Sequence, residues 1–199
     1  EPLAVGFHAA MQGGARAGQT AVVMGAGCIG LVTMMALKAM GVSKVYVVDI
    51  MEKRLEKAME LGADGVINGK EKDAVEEVLR LTDGKGCDLA VETAGTEFTT
   101  VQTIHMTKKG SNIVLVGYSK SGEMTLPMSL VLDKELTFKT VFRYRHIYPM
   151  AIEAVAAGKV NLKGIATNIF SLDEVQKAMD YSVSNKADIV KAVIRITEE

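Results

Sequence analysis

Three glycines spaced G-x-G-x-x-G, namely Gly25, Gly27 and Gly30, follow the apolar run Val22-Val23-Met24, and Asp49 closes the next apolar run, Lys44-Val45-Tyr46-Val47-Val48. This is chemistry suited to holding half of a dinucleotide. Gly25 permits a tight turn out of a strand, Gly27 lets the backbone approach a pyrophosphate, and Gly30 lets the following helix pack closely. Free N–H groups at the helix start, around Cys28 and Ile29, face the phosphates where the helix dipole favours negative charge. Asp49 lies roughly 20 residues further on, where a carboxylate accepts the adenosine ribose hydroxyls and repels a 2′-phosphate, favouring NAD over NADP. Two further strand ends carry small residues, Glu92-Thr93-Ala94-Gly95 and Val116-Gly117-Tyr118, and these let a flat nicotinamide ring approach. Their glycines are equally compatible with ordinary loop punctuation.

The glycine loop has competing explanations. One is a strand-to-helix turn with no ligand. Another is an S-adenosylmethionine-dependent methyltransferase, which also pairs a glycine loop with an acid ending its second strand, and a third is a non-enzymatic NAD-sensing domain. Short-chain reductases are excluded, because no tyrosine is followed by lysine in a Tyr-x-x-x-Lys pattern.

To position these groups the chain must alternate strands and helices. Apolar and β-branched runs at 21–24, 45–49, 65–68, 88–92, 112–116 and 136–142 predict six strands. Apolar residues recurring every three or four positions predict helices at 31–40, 52–61, 72–81 and 98–106, the second ending at Gly62 in a left-handed cap. Right-handed crossovers then give an α/β, doubly wound, parallel Rossmann sheet of order 3-2-1-4-5-6, with its crevice between strands one and four. Beyond it, helices are expected at 150–157 and 172–182, the latter capped by Ser171 and Glu174, and a last strand at 189–196.

Composition excludes several classes. The chain has 199 residues, 48% hydrophobic, with a net charge of −1, which points neither to disorder nor to an electrostatic grip on nucleic acid. No apolar run reaches the about 20 residues of a membrane span. Cys28 and Cys87 fall in distant segments and in no C-x-x-C, consistent with a reducing, cytoplasmic setting. His8, His105 and His146 are too dispersed for a metal site, so no metal ligand is assigned. The start Glu1-Pro2-Leu3 has neither an initiator Met nor a basic leader, so an excised piece is expected.

Glu1-Pro2-Leu3-Ala4-Val5-Gly6-Phe7-His8-Ala9, the loop Gly25-Ala26-Gly27-Cys28-Ile29-Gly30, and Val141-Phe142-Arg143-Tyr144 followed by Tyr148-Pro149 together resemble the sorbitol (polyol) dehydrogenases of the zinc-dependent medium-chain family. The resemblance runs along the whole chain but corresponds only to that family's cofactor domain and C-terminal part. It implies an NAD-binding Rossmann domain at 13–142, with 1–12 and 143–199 as remnants of a catalytic domain whose zinc-bearing N-terminal portion has no counterpart here.

By the same resemblance, Ile29 packs under the cofactor, Asp49 binds the ribose, and Arg54 flanks the adenine. Val116, Gly117 and Tyr118 line the nicotinamide, with Val141 and Phe142 at its amide end, and Thr93 and Arg143 count among the cofactor-binding residues. Arg143 and Tyr144 touch a polyol, and Glu1 stands for a carboxylate near the zinc. The intact family member would use zinc to acidify a secondary alcohol and pass hydride to NAD, so this chain is expected to bind NAD without turning over. A homodimer through 136–142 is also expected, with a tetramer open to the intact enzyme, and the last strand is expected to be left as an unpaired edge.

Overall fold

In a computed structural model that describes residues 1–185 and 188–197, the chain forms a Rossmann-like α/β fold around a six-stranded sheet. Strands β1 (Thr20–Met24), β2 (Lys44–Asp49), β3 (Gly65–Asn68), β4 (Cys87–Glu92), β5 (Thr107–Leu115) and β6 (Thr137–Thr140) stand in the order 3-2-1-4-5-6. All five pairings are parallel. A parallel sheet needs both faces covered, and the strand residues show it. Ala21 and Val23 belong to one core cluster while Val22 and Met24 belong to another, the alternation of side chains along a strand.

One face is covered by α1 (Pro2–Gln12) and α2 (Cys28–Ala39), the other by α4 (Ala74–Leu81), α5 (Glu97–Met106) and the short α6 (Met128–Asp133). Helix α3 (Glu52–Glu60) leads from β2 to β3 and ends as expected, with Gly62 at φ +99. Helix α2 is apolar almost throughout because it lies between the sheet and α1, burying Leu31 through Leu37. The two helices meet where Gly6 has no side chain: a Cβ there would lie 2.7 Å from the Val32 carbonyl oxygen.

Beyond β6 come α7 (Tyr148–Ala156), the 3-10 turn Leu162–Ile165, β7 (Ala166–Ser171), a second 3-10 turn Leu172–Glu174, α8 (Val175–Ser184) and β8 (Lys191–Arg195). The Ser171–Glu174 capping box forms, closing the 3-10 turn that leads into α8. The expected lone last strand is corrected here: β8 pairs in parallel with β7, and α8 makes the crossover. Strand six also differs from expectation. It ends at Thr140, so Val141 and Phe142 lie past the ladder, and β5 begins earlier than expected, after a register shift in β4 between Cys87 and Leu89. No helix among the described residues is long and apolar enough to cross a membrane.

Candidate functional site

The glycine loop begins where β1 ends. Gly25 takes φ +100, a left-handed conformation, and its N–H donates to the Val48 carbonyl at 2.7 Å. Gly30 has the tightest surroundings: a Cβ there would fall 1.8 Å from the Gly25 carbonyl oxygen and 3.0 Å from Thr93 Oγ1. Its task is to let α2 start directly against the turn and the end of β4, rather than to seat the helix on the sheet at large. Gly27 is the converse case, with extended backbone and nothing within 4 Å of a built Cβ. Nothing in the folded chain requires a glycine there.

No side chain caps α2, whereas Asp73 accepts from two amides of α4 and Thr96 from one of α5. The α2 amides therefore open onto the space that Gly27 leaves clear, which is the arrangement an anionic phosphate requires. Asp49 turns toward this loop. Its Oδ2 accepts from Ala26 N–H at 2.7 Å, and its Oδ1 from Ile50 and Met51 N–H at 2.7 and 2.9 Å. With about four acceptor positions on a carboxylate, a ligand hydroxyl can still be taken up. Arg54 Nη1 stands 4.0 Å from Asp49 Oδ2.

These groups open on a cleft of about 730 Å³ lined by Gly25, Gly27, Asp49, Arg54 and Thr93. Thr93 is fixed at its floor by donating to the Met24 carbonyl at 2.7 Å. Cys28 and Ile29 do not line the cleft; both pack against the core on the α1 and α2 side, and burial pushes the Cys28 thiol above its ordinary pKa.

The sequence-predicted nicotinamide residues form a second group past the ends of β5 and β6. Tyr118 and Phe142, 71% and 72% exposed, meet edge to face with centroids 6.3 Å apart, and the Arg143 guanidinium lies 5.3 Å from the Phe142 ring centroid. Val141, by contrast, is buried in the core. Gly117 has a structural role: a Cβ there would lie 2.2 Å from Gly95 N, and one on Gly95 would lie 2.4 Å from the Tyr118 carbonyl oxygen. A third group gathers Tyr144 and Tyr148, whose hydroxyls are 3.2 Å apart, while Glu1 and Tyr148 share a separate apolar groove. Hydrogen bonding to Tyr148 and burial push the Tyr144 phenol up to about 12.

Two features carried no signal in a motif. Glu92 is fully buried, and its carboxylate accepts from Ala94 N–H, Gly95 N–H and Thr99 Oγ1 at 2.9, 3.0 and 2.8 Å. Its own carbonyl accepts from Val116 and Gly117 N–H, so one residue joins the ends of β4 and β5. Burial pushes its carboxyl above the ordinary range against the pull of those donors. The outer cleft wall, formed by Phe98 and Gln102 of α5, likewise belongs to no motif; only their one-turn spacing on a helix points to it.

The fold and the glycine crevice are those of a nucleotide-binding dehydrogenase domain, and the chain belongs to the zinc-binding dehydrogenase family, whose model matches residues 28–157. It is 41% identical to the uncharacterized zinc-type alcohol dehydrogenase-like protein YdjJ of Escherichia coli K12, over all of this chain and 56% of that protein. It is 34% identical to sorbitol dehydrogenase of Bacillus subtilis, over 98% of this chain and 55% of that protein. Among solved structures it superimposes on E. coli ECK1772, described as an oxidoreductase/dehydrogenase of unknown specificity, with TM-score 0.95 and 40% identity over 100% of this chain and 56% of that one. The NADH complex of the E. coli CFT073 alcohol dehydrogenase RspB matches with TM-score 0.90 and 25% identity, over 98% of this chain and 58% of that one.

The chain thus spans about half the length of the curated relatives it matches. These matches, with a sheet that stays parallel through β6, leave the methyltransferase alternative unsupported. Among the described residues no group of three or more His, Cys, Asp and Glu is placed to hold a metal ion, so they provide no site for the zinc in the family's name.

Proposed function

We propose that this chain is the NAD(H)-binding portion of a zinc-type polyol dehydrogenase acting on a secondary alcohol. The observation that carries this is the uncapped start of α2 facing the clear space at Gly27, with the Asp49 carboxylate turned to the same loop. In this reading the α2 amides bind the pyrophosphate and Asp49 accepts the ribose hydroxyls, disfavouring a 2′-phosphate. Bound NAD supplies the hydride acceptor. Val116, Gly117, Tyr118, Val141 and Phe142 seat the nicotinamide, while Arg143, Tyr144 and Glu1 face the polyol. The RspB complex with NADH and the sorbitol dehydrogenase relative support the cofactor and the substrate class.

The domain boundaries fit the same proposal, with the cofactor unit at 13–142 and with 1–12 and 143–199 belonging to the substrate side; the latter stretch includes 186–187 and 198–199, which lie outside the described residues. Since the described residues hold no metal-ligating cluster, the chain alone is expected to bind NAD without oxidising polyols. We further propose a cytoplasmic homodimer through the free edge of β6, to be checked by sedimentation, where a monomeric mass refutes it. Titration calorimetry with NADH tests the central claim: saturable one-site binding is expected, and absence of heat with a correctly folded chain refutes it.

A further inference from the structure

The cleft extends past the residues that hold the phosphates and the ribose. The sheet order sets β2 and β4 on either side of β1, so the cleft has one wall from the β2–α3 connection and one from the start of α5. The first wall offers Ile50, Met51 and Arg54; the second offers Phe98 and Gln102. Phe98 and Gln102 are four residues apart on α5, hence on one helical face.

Phe98 is 70% exposed, joins neither core cluster and lines the cleft, so its ring is available to a flat group bound there. Beside it, Gln102 presents one amide donor group and one carbonyl acceptor. A glutamine of that kind pairs bidentately with the N6 amino and N7 of adenine, whereas hypoxanthine offers two acceptors on the same edge and matches it poorly.

We propose that this face of α5 reads the base of the bound dinucleotide, Phe98 stacking on the adenine and Gln102 pairing with its N6–N7 edge. The inference rests on the NAD reading above and adds to it a selectivity for adenine. Stacking on an aromatic side chain corresponds to about a 5- to 150-fold change in affinity on truncation to alanine.

The test is a fluorescence titration of the chain with NADH and with reduced nicotinamide hypoxanthine dinucleotide. The unmodified chain is expected to prefer NADH by about fivefold or more. Phe98→Ala is expected to weaken NADH by at least about fivefold at unchanged melting temperature, Phe98→Tyr to restore it, and Gln102→Leu to erase the preference between the two bases. Equal affinity of the unmodified chain for both dinucleotides, or a Phe98→Ala variant that binds NADH as before, overturns the inference while leaving the NAD reading intact. Binding of neither dinucleotide by the folded chain overturns both.

Discussion

The division of labour among the loop glycines can be tested by two substitutions with opposite expected outcomes. In Gly27→Ala the new methyl meets nothing within 4 Å, and the backbone there, φ −73 and ψ −178, is open to any residue. Reduced freedom of the unfolded chain stabilises by about 0.4–1 kcal/mol. The poorer helix cap that alanine makes costs about as much. Folding stability should therefore stay within about 1 kcal/mol, which for a chain of this size shifts the melting temperature by only ~2–4 °C. The methyl does occupy the space a diphosphate needs, and each charge-assisted hydrogen bond it costs the phosphate removes about 1.5–3 kcal/mol, on the order of 10- to 100-fold in affinity.

In Gly30→Ala the methyl sits 1.8 Å from the Gly25 carbonyl oxygen, about 1.2 Å inside the 3.0 Å limit of real Cβ contacts, and the obstacle is backbone. Overpacking of that kind costs about 1–3 kcal/mol or more. Calorimetric melting and NADH titration of both variants decide the matter. Gly27→Ala should melt like the parent and lose NADH about 10- to 100-fold, whereas Gly30→Ala should lose both stability and binding. If Gly27→Ala retains the parent's NADH affinity, the phosphate does not lie where the open space suggests.

Asp49→Asn replaces a carboxylate that accepts three backbone N–H groups with an amide whose NH₂ must confront at least one of them. A loss of about 1–3 kcal/mol in urea unfolding is expected, with NADH weakened more than NADPH as the negative charge disappears; an unchanged NADH to NADPH ratio counts against Asp49 as the ribose partner. Glu92 gives a pH signature. Because burial raises its carboxyl in the folded chain, the folded state binds more protons than the unfolded one between the ordinary and the raised pKa, and this group makes stability fall as pH rises through that window. The stability of the parent minus that of Glu92→Gln, from urea unfolding at successive pH values, should therefore decline with rising pH, and a rising difference refutes the assignment.

Much of the sheet and the inner cleft could be read from the chain because the signals there are local. A strand running into Gly25 and a carboxylate ending the next strand fix the turn and the approach of Asp49 to Ala26 through short stretches of backbone. The pairing of β7 with β8 was not legible, since Ala166-Thr167-Asn168-Ile169-Phe170-Ser171 has no clean alternation and finds its partner only across the whole of α8. Helix α1 is not legible for a related reason: its apolar face is sized to α2, at Gly6 against Val32, and a contact between separate helices leaves no periodic trace of its own.

The far side of the crevice shows the same limit at finer scale. Gly95 and Gly117 read equally well as punctuation or as ligand contacts, but a Cβ on Gly117 meets the Gly95 backbone and one on Gly95 meets the Tyr118 backbone, with Glu92 bonded to both strand ends. A side chain at either position would disrupt the rim before it could report on a ligand. The backbone therefore sets the shape of this crevice, and Gly27 is the loop glycine whose substitution probes the ligand alone. What the crevice selects is left to side chains: Asp49 at the inner end, itself bonded into that frame, and at the outer end the exposed face of α5, which can vary without moving it.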